Sequence, residues 1–181
     1  RLSRSRHTGV MMPAINVNKI SKTYRVRKLT YADVGEVFAL CEKNKLYYEY
    51  HPPFVTKNAI EEDMRALPPG KSEPDKYYVG FFDDSGLIAV ADLITAYPNE
   101  QTVLIGFFMT AVRVQNKGVG SEIVKELCAF FKGAGFNSVR LGYVKDNPQS
   151  RAFWLKNGFV PTGEVFEKSD CAIAAAVRRL K

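Results

Sequence analysis

"VQNKGVGSEIVKEL", Val114 to Leu127, sets Gly118 and Gly120 on either side of Val119, between a polar Gln-Asn-Lys run and a helical pattern. Ile123, Val124, Leu127, Cys128 and Phe131 recur on one face of a 3.6-residue repeat, so the spacing predicts a helix beginning near Gly118. The stretch before it, "TVLIGFFMT" from Thr102 to Thr110, is too apolar for a solvated loop and too short for an independent helix, and reads as a buried strand. A strand, a glycine turn and a helix start leave the first-turn N–H groups and the positive end of the helix dipole at the mouth of a sheet. That is an anion site. Two phosphate loops fail on these residues. Lys117 precedes Gly118 instead of following the last glycine, which excludes the ATP-type loop. Ile123 stands where a dinucleotide loop needs its third glycine. On this stretch alone, close packing of a helix against a strand explains the glycines as readily.

A second motif, "NPQSRAFWLKNGF" from Asn147 to Phe159, follows "SVRLGYV", whose Val139, Leu141 and Tyr143 alternate with Arg140, Gly142 and Val144 in the period of a strand. Asn147 caps a short predicted helix, Pro148 fills its first position and Gly158 ends it. Together, Gln115-x-x-Gly118-x-Gly120 and Asn147-x-x-Ser150-x-x-Phe153-Trp154-x-x-x-Gly158-Phe159, separated by a helix and a strand, resemble the Gcn5-related N-acetyltransferase family. The resemblance covers roughly Tyr24 to Leu180 and is strongest from Thr102 to Phe159.

The resemblance implies that the backbone N–H groups of Gln115, Asn116, Lys117, Gly118, Val119, Gly120 and Ser121 hold the pyrophosphate of acetyl-coenzyme A. Side chains at Gly118 and Gly120 would then obstruct it. It implies further that the pantetheine arm pairs like an extra strand with Met109, Thr110 and Ala111. Asn147 reaches the arm from the other side, with Ser150, Phe153 and Trp154 nearby. The expected fold is α/β (α+β): one domain, with a central mixed, mostly antiparallel sheet of about seven strands flanked by about four helices.

At 181 residues and 46% hydrophobic content the chain suits one domain with a substantial core. No apolar run approaches the 18 or more residues of a membrane helix. Cys41, Cys128 and Cys171 are odd in number, far apart and form no Cys-x-x-Cys, which reads as buried thiols in a cytoplasmic protein. With only His7 and His51, neither a zinc site nor a Ser-His-Asp triad is expected, and no metal is implied. Residues 1–12, "RLSRSRHTGVMM", carry three arginines and no acid and are expected to form a leader outside the domain at 13–181. Without them the excess of cations falls from +7 to +4, which weakens a nucleic-acid reading. Arg113, Lys117, Lys145, Arg151 and Lys156 surround the two motifs, either to meet a polyanionic coenzyme or as solvated surface charge.

Elsewhere, "YRVRKLT" from Tyr24 is a first strand, followed by a helix with Val34, Val37, Phe38 and Cys41 at helical spacing. A second helix runs from about Thr56 to Leu67 and is stopped by Pro68 and Pro69. "KYYVGFF" and "LIAVADLI" flank Asp83-Asp84-Ser85-Gly86, a hairpin signal, and "YPNEQ" makes the next reversal. "FVPTGEVFE" and "CAIAAAVRRL" read as two last strands, although the alanine run also suits a helix.

Acetyl transfer to an amine requires a proton acceptor, because an alkyl amine with a pKa of about 10 arrives as an ammonium. Asp92, the one charge in "LIAVADLITAY", is the first candidate, against a purely structural role. Glu49 and His51 in "YYEYHPPF", on the expected acceptor-side loop, are alternatives. Many family members place a tyrosine before the x-x-x-Gly-Phe ending to protonate the leaving thiolate; this chain has Trp154, whose indole is no useful acid. Tyr143 is a substitute from the neighbouring strand, or an aromatic packed on the sheet. Glu49, Glu61, Glu62, Asp63 and several aromatics between Leu46 and Tyr78 suit a small cationic amine as acceptor, in a monomer or a homodimer. Two other functions fit: an acyl-coenzyme A-binding module without transfer, and, from the +7 charge, a nucleic-acid-binding protein.

Overall fold

The computed structural model describes residues 13–181, so the expectation for a leader at 1–12 lies outside the described residues. In chain order the elements are β1 (Arg25–Lys28), α1 (Val34–Cys41), α2 (Lys45–Tyr50), α3 (Lys57–Arg65), β2 (Lys76–Asp83), β3 (Gly86–Thr95) and β4 (Thr102–Thr110). There follow α4 (Val119–Gly133), β5 (Ser138–Val144), α5 (Pro148–Lys156), β6 (Val160–Glu167) and β7 (Ala172–Arg179). The seven strands form one sheet in the order β1-β2-β3-β4-β5-β7-β6. Every pairing is antiparallel except β4 with β5. The mixed, mostly antiparallel sheet is the expected one.

Local chemistry explains several boundaries. Asp83 Oδ1 accepts from the Ser85 N–H at 2.8 Å and Gly86 takes a φ of +114°, which closes the β2–β3 hairpin. Thr56 Oγ1 accepts from the Ala59 N–H and starts α3. The helix stops at Arg65, two residues short of Leu67, because Ala66 already turns to extended backbone ahead of the prolines. The alanine run becomes strand β7, not helix. Ala174, Ala175 and Ala176 are buried between β5 and β6, where cross-strand pairing outweighs the weak helical propensity of three alanines.

The structure has five helices where the sequence suggests four. The additional one is α2, in the stretch read as a loop. It has no buried residue, so no apolar period marks it in the sequence, and the asparagine at its N-cap, Asn44, makes no capping bond.

Two irregularities shape the centre of the sheet. A bulge between Asp92 and Leu93 of β3 leaves Gly106 of β4 without a partner, since Asp92 faces Phe107 and Leu93 faces Ile105. In addition, β4 and β5 pair only from Thr102–Ser138 to Ile105–Leu141. Beyond that point β5 continues along β7 as far as Val144, while the last five residues of β4 have no neighbouring strand on that flank. The sheet therefore opens as a wedge between its two parallel strands. The helices and the sheet share one apolar core, which includes Ile123, Val124, Leu127 and Phe131 of α4. Cys41 and Cys128 are buried, as expected, and Cys171 is half-buried. Among the described residues no helix is long and apolar enough to cross a membrane.

Candidate active site

The turn after β4 delivers α4 to the mouth of this wedge. Val112–Val114 form a 3₁₀ turn, Asn116 and Gly118 adopt left-handed φ values of +59° and +79°, and α4 then begins. The first helical bond runs from the Glu122 N–H to the Gly118 carbonyl at 3.0 Å, so the N–H groups of Val119, Gly120 and Ser121 have no intrahelical acceptor. No side chain caps them. Two left-handed residues flanking Lys117 and an uncapped helix start form a concave set of donors suited to a phosphate. The Gln115 N–H is not among them, since it donates to the Val112 carbonyl at 3.2 Å.

The two glycines serve different purposes. A Cβ at Gly118 would meet nothing within 4 Å, so glycine is required there for its backbone conformation and to keep the approach open. At Gly120 a Cβ would lie 3.2 Å from Phe153 Cε2 and 3.5 Å from Thr110 Cγ2. Close packing therefore explains the second glycine, and conformation the first.

Several polar side chains of the motif are already engaged. Lys117 Nζ donates to the Arg113 carbonyl, and Arg113 forms a bidentate ion pair with Asp83 at 2.8 and 2.9 Å. Ser121 Oγ accepts from Asn157 Nδ2, which ties α4 to α5. Lys145, Arg151 and Lys156 are exposed and outside every ion pair among the described residues. Those three remain for a polyanion.

On the wedge side of β4, register decides which backbone groups are free. Ala111 donates its N–H to the Ile88 carbonyl at 2.7 Å, and Met109 is paired with Val90. Ladder bonds alternate along a strand, so Ala111 and Met109 face β3 while Thr110 and Phe108 face the open flank. Of Met109, Thr110 and Ala111, only Thr110 presents its backbone to an arm lying in the wedge, and Phe108 joins it. The Thr110 carbonyl already accepts from the side chains of Asn44 and Gln115, which leaves its N–H for the arm. Across the wedge, Asn147 is 2% exposed, and its Oδ1 caps α5 by accepting from the Gln149 and Ser150 N–H groups. Its Nδ2 makes no hydrogen bond among the described residues and is the atom left for a ligand.

Phe153 stacks on Phe108 with ring centroids 6.1 Å apart. Trp154 is buried and packs edge-on against Phe108, Phe153 and Phe159. The indole fills the junction of β4 and α5. Trp154→Phe is accordingly expected to retain turnover within about threefold, since the position contributes packing and not a proton; steady-state kinetics on the purified variant checks this. Tyr143 is buried and lies in a recess with Lys145, Arg151, Pro161 and Val165, whose walls include no β4 residue.

Asp92 lies beside the unpaired Gly106, immediately past the last β4–β5 pair. Its Oδ2 is 2.8 Å from Lys76 Nζ, and it is 2.9 Å from where a Gly106 Cβ would stand. Its Oδ1 is buried with no partner. Burial pushes the carboxyl above the ordinary carboxylate range, and the Lys76 ammonium opposes part of that rise. Gly106 itself is exposed, so the chain is bare beside this carboxylate.

The stretch expected to face the acceptor is built around α2. Tyr47 stacks on His51 and meets Phe107 edge-on, and Tyr48 packs against Phe54. Burial pushes the His51 imidazole down, with Lys168 adding to the effect, so it is neutral near pH 7. Asp63 of α3 is exposed, and the protein around its carboxyl raises its pKa by partial desolvation, with the Lys76 ammonium opposing part of that rise. Glu49 is exposed on α2. Among the described residues no group of three or more His, Cys, Asp or Glu side chains is placed to hold a metal.

Sequence reasoning missed Lys76, Gly106 and Asn44. Lys76 and Gly106 reach Asp92 only through strand register, and Asn44 reaches Thr110 from a separate turn.

A parallel strand pair that parts into a wedge, with an uncapped glycine-turn helix start at its mouth, defines the scaffold of a coenzyme A-dependent acyltransferase. The acetyltransferase (GNAT) family model matches residues 41–159, and the chain belongs to this family of N-acetyltransferases. No curated protein matches the sequence. Among solved structures, an acetyltransferase from Thermus thermophilus superposes with a TM-score of 0.69 at 16% identity, covering 87% of this chain and 97% of that one. Spermidine N-acetyltransferase from Vibrio cholerae, in complex with CoA and spermine, gives 0.66 at 15% identity, covering 88% and 97%. PaiA N-acetyltransferase from Thermoplasma acidophilum, in complex with coenzyme A, gives 0.59 at 19% identity, covering 86% and 98%. At these identities the likeness is one of fold.

Proposed function

We propose that the protein transfers the acetyl group of acetyl-coenzyme A directly to the primary amine of a small acceptor. The observation that carries this reading is the set of free N–H groups at the start of α4, at the mouth of the β4–β5 wedge. The coenzyme supplies an acetyl thioester. Asn116 to Ser121 would hold its pyrophosphate, Phe108 and Thr110 its arm, and Asn147 Nδ2 would donate to it from the opposite side.

Asp92 acts as the base. Its unpartnered Oδ1, itself buried, takes the proton of the incoming ammonium through a water, while Lys76 holds the other oxygen and fixes the carboxylate. Burial makes this carboxylate more basic than an exposed one, which suits proton abstraction near neutral pH. The amine nitrogen then bonds to the acetyl carbon, the C–S bond breaks with its electron pair on sulfur, and the nitrogen gives its second proton to that thiolate or to water, leaving the neutral amide. A thiol of pKa about 8.5 departs acceptably as thiolate, so the reaction needs no hydroxyl at Trp154.

The aromatic cluster of Tyr47, Tyr48, His51 and Phe107, with the Asp63 charge near Tyr47 and His51, supports a small cationic amine, whose charge is matched by a carboxylate and by aromatic faces. Incubating the protein with acetyl-coenzyme A and a panel of amines, and following thiol release, tests the reading. Release is expected with small di- and monoamines. Release with none of them, but with a peptide N-terminus, would reject the small acceptor.

A further inference from the structure

Asn44 occupies the N-cap position of α2, where an asparagine side chain ordinarily accepts from the first-turn N–H groups of its own helix. Here it does not. Its Nδ2 donates to the carbonyls of Leu40 at 3.0 Å and Thr110 at 3.1 Å, and its Oδ1 accepts from Gln115 Nε2 at 2.7 Å. Gln115 Nε2 also donates to the Thr110 carbonyl at 3.0 Å. Two side-chain amides from distant parts of the chain thus converge on one carbonyl at the open end of β4. All three residues are half-buried, so these bonds are partly shielded from competing water.

The consequence falls on α2. This helix has six residues, none of them buried, and no side-chain cap. So short a helix does not persist by its own hydrogen bonds. Apart from the packing of Tyr47 and Tyr48 on the core, it is held through Asn44, whose partners are Leu40 of α1, the end of β4 and the residue that opens the glycine turn. Gln115 is bonded directly to Asn116, the first left-handed residue of that turn.

We propose that Asn44 and Gln115 are positioning residues: their amide pair couples the coenzyme turn to α2, so that the acceptor wall carrying Tyr47, Tyr48 and His51 becomes ordered when the coenzyme is seated. The proposal rests on the coenzyme site described above. An anion held by the N–H groups after Gln115 restrains that residue, the restrained amide holds Asn44, and Asn44 holds the first turn of α2. Ordering at one site then lowers the entropy lost at the other.

Hydrogen exchange on the full chain with and without saturating coenzyme A tests this, with calorimetry reporting binding in each variant. In the wild type, the amides of Glu49, Tyr50 and His51, whose acceptors lie within α2, are expected to exchange about fivefold or more slowly when coenzyme A is bound. Asn44→Ala is expected to bind coenzyme A within about threefold of wild type while losing that protection change. Asn44→Ser keeps a hydroxyl able to accept from Gln115 or donate to a carbonyl, without setting a charged oxygen against the Leu40 and Thr110 carbonyls; it should restore part of the change, and it carries the test if the alanine variant does not fold. Wild-type binding without any change at α2, a full change in Asn44→Ala, or loss of coenzyme binding in that variant would each overturn the coupling. Failure of the wild type to bind coenzyme A would instead overturn the coenzyme site itself.

Discussion

Gly118→Glu is expected to weaken coenzyme A binding by about 100-fold or more, roughly 2.7 kcal/mol. The position combines two properties that make the effect readable. A Cβ there meets no protein atom within 4 Å, so the first atom of a side chain is accommodated and the backbone cost is the strain of a left-handed non-glycine residue, about 1–2 kcal/mol. The added carboxylate meanwhile sits at the positive end of α4, among the N–H groups that would receive a phosphate, and competes with it by bulk and by charge. Gly118→Ala carries the same backbone strain without the charge, and should lose far less. Titration calorimetry of the three proteins separates the terms. Affinity of Gly118→Glu within about threefold of wild type would place the coenzyme elsewhere.

Asp92→Asn is expected to lower turnover by about 10² to 10⁴ while leaving coenzyme affinity unchanged. The pH dependence gives the sharper test. Asp92 works as a base only when ionised, so wild-type activity should fall as pH drops through its pKa, which burial sets above the ordinary carboxylate range. Removing the titrating group removes that acid limb. The substituted amide would also leave the Lys76 ammonium without its counter-charge, so a thermal melt must accompany the kinetics. A variant that keeps the wild-type profile would leave Asp92 as the structural partner of Lys76 alone.

The two motifs are local in sequence, and local readings of them hold up well. The period of Ile123, Val124, Leu127, Cys128 and Phe131 marks the buried face of α4, and all five are buried. Asn147 and Pro148 announce the start of α5, and Asn147 caps it. Asp83 to Gly86 closes the hairpin. In each case the deciding interactions lie within a few residues, so the chain carries them as spacing and residue type. Helix α2 and strand β7 behave differently. The first lacks a period or a bonded cap, and the second has helix-favouring alanines. Both are fixed by what packs on them, which no local window contains.

The sequence by itself determined the strand–turn–helix whose free N–H groups suit an anion, the spacing that marks the family, and the isolated acid in β3. Tertiary structure alone decided what surrounds them. The parting of β4 from β5 beyond Ile105 opens the wedge. The bulge opposite Asp92 leaves Gly106 bare, and strand register brings Lys76 to the carboxylate. Register likewise turns Thr110, and not Met109 or Ala111, toward the open flank, where Asn44 and Gln115 meet it. The physical reason is one of range. Helix periods and caps are bonds between residues three or four apart, whereas strand neighbours are chosen by the whole sheet, and a one-residue bulge alters every contact across it.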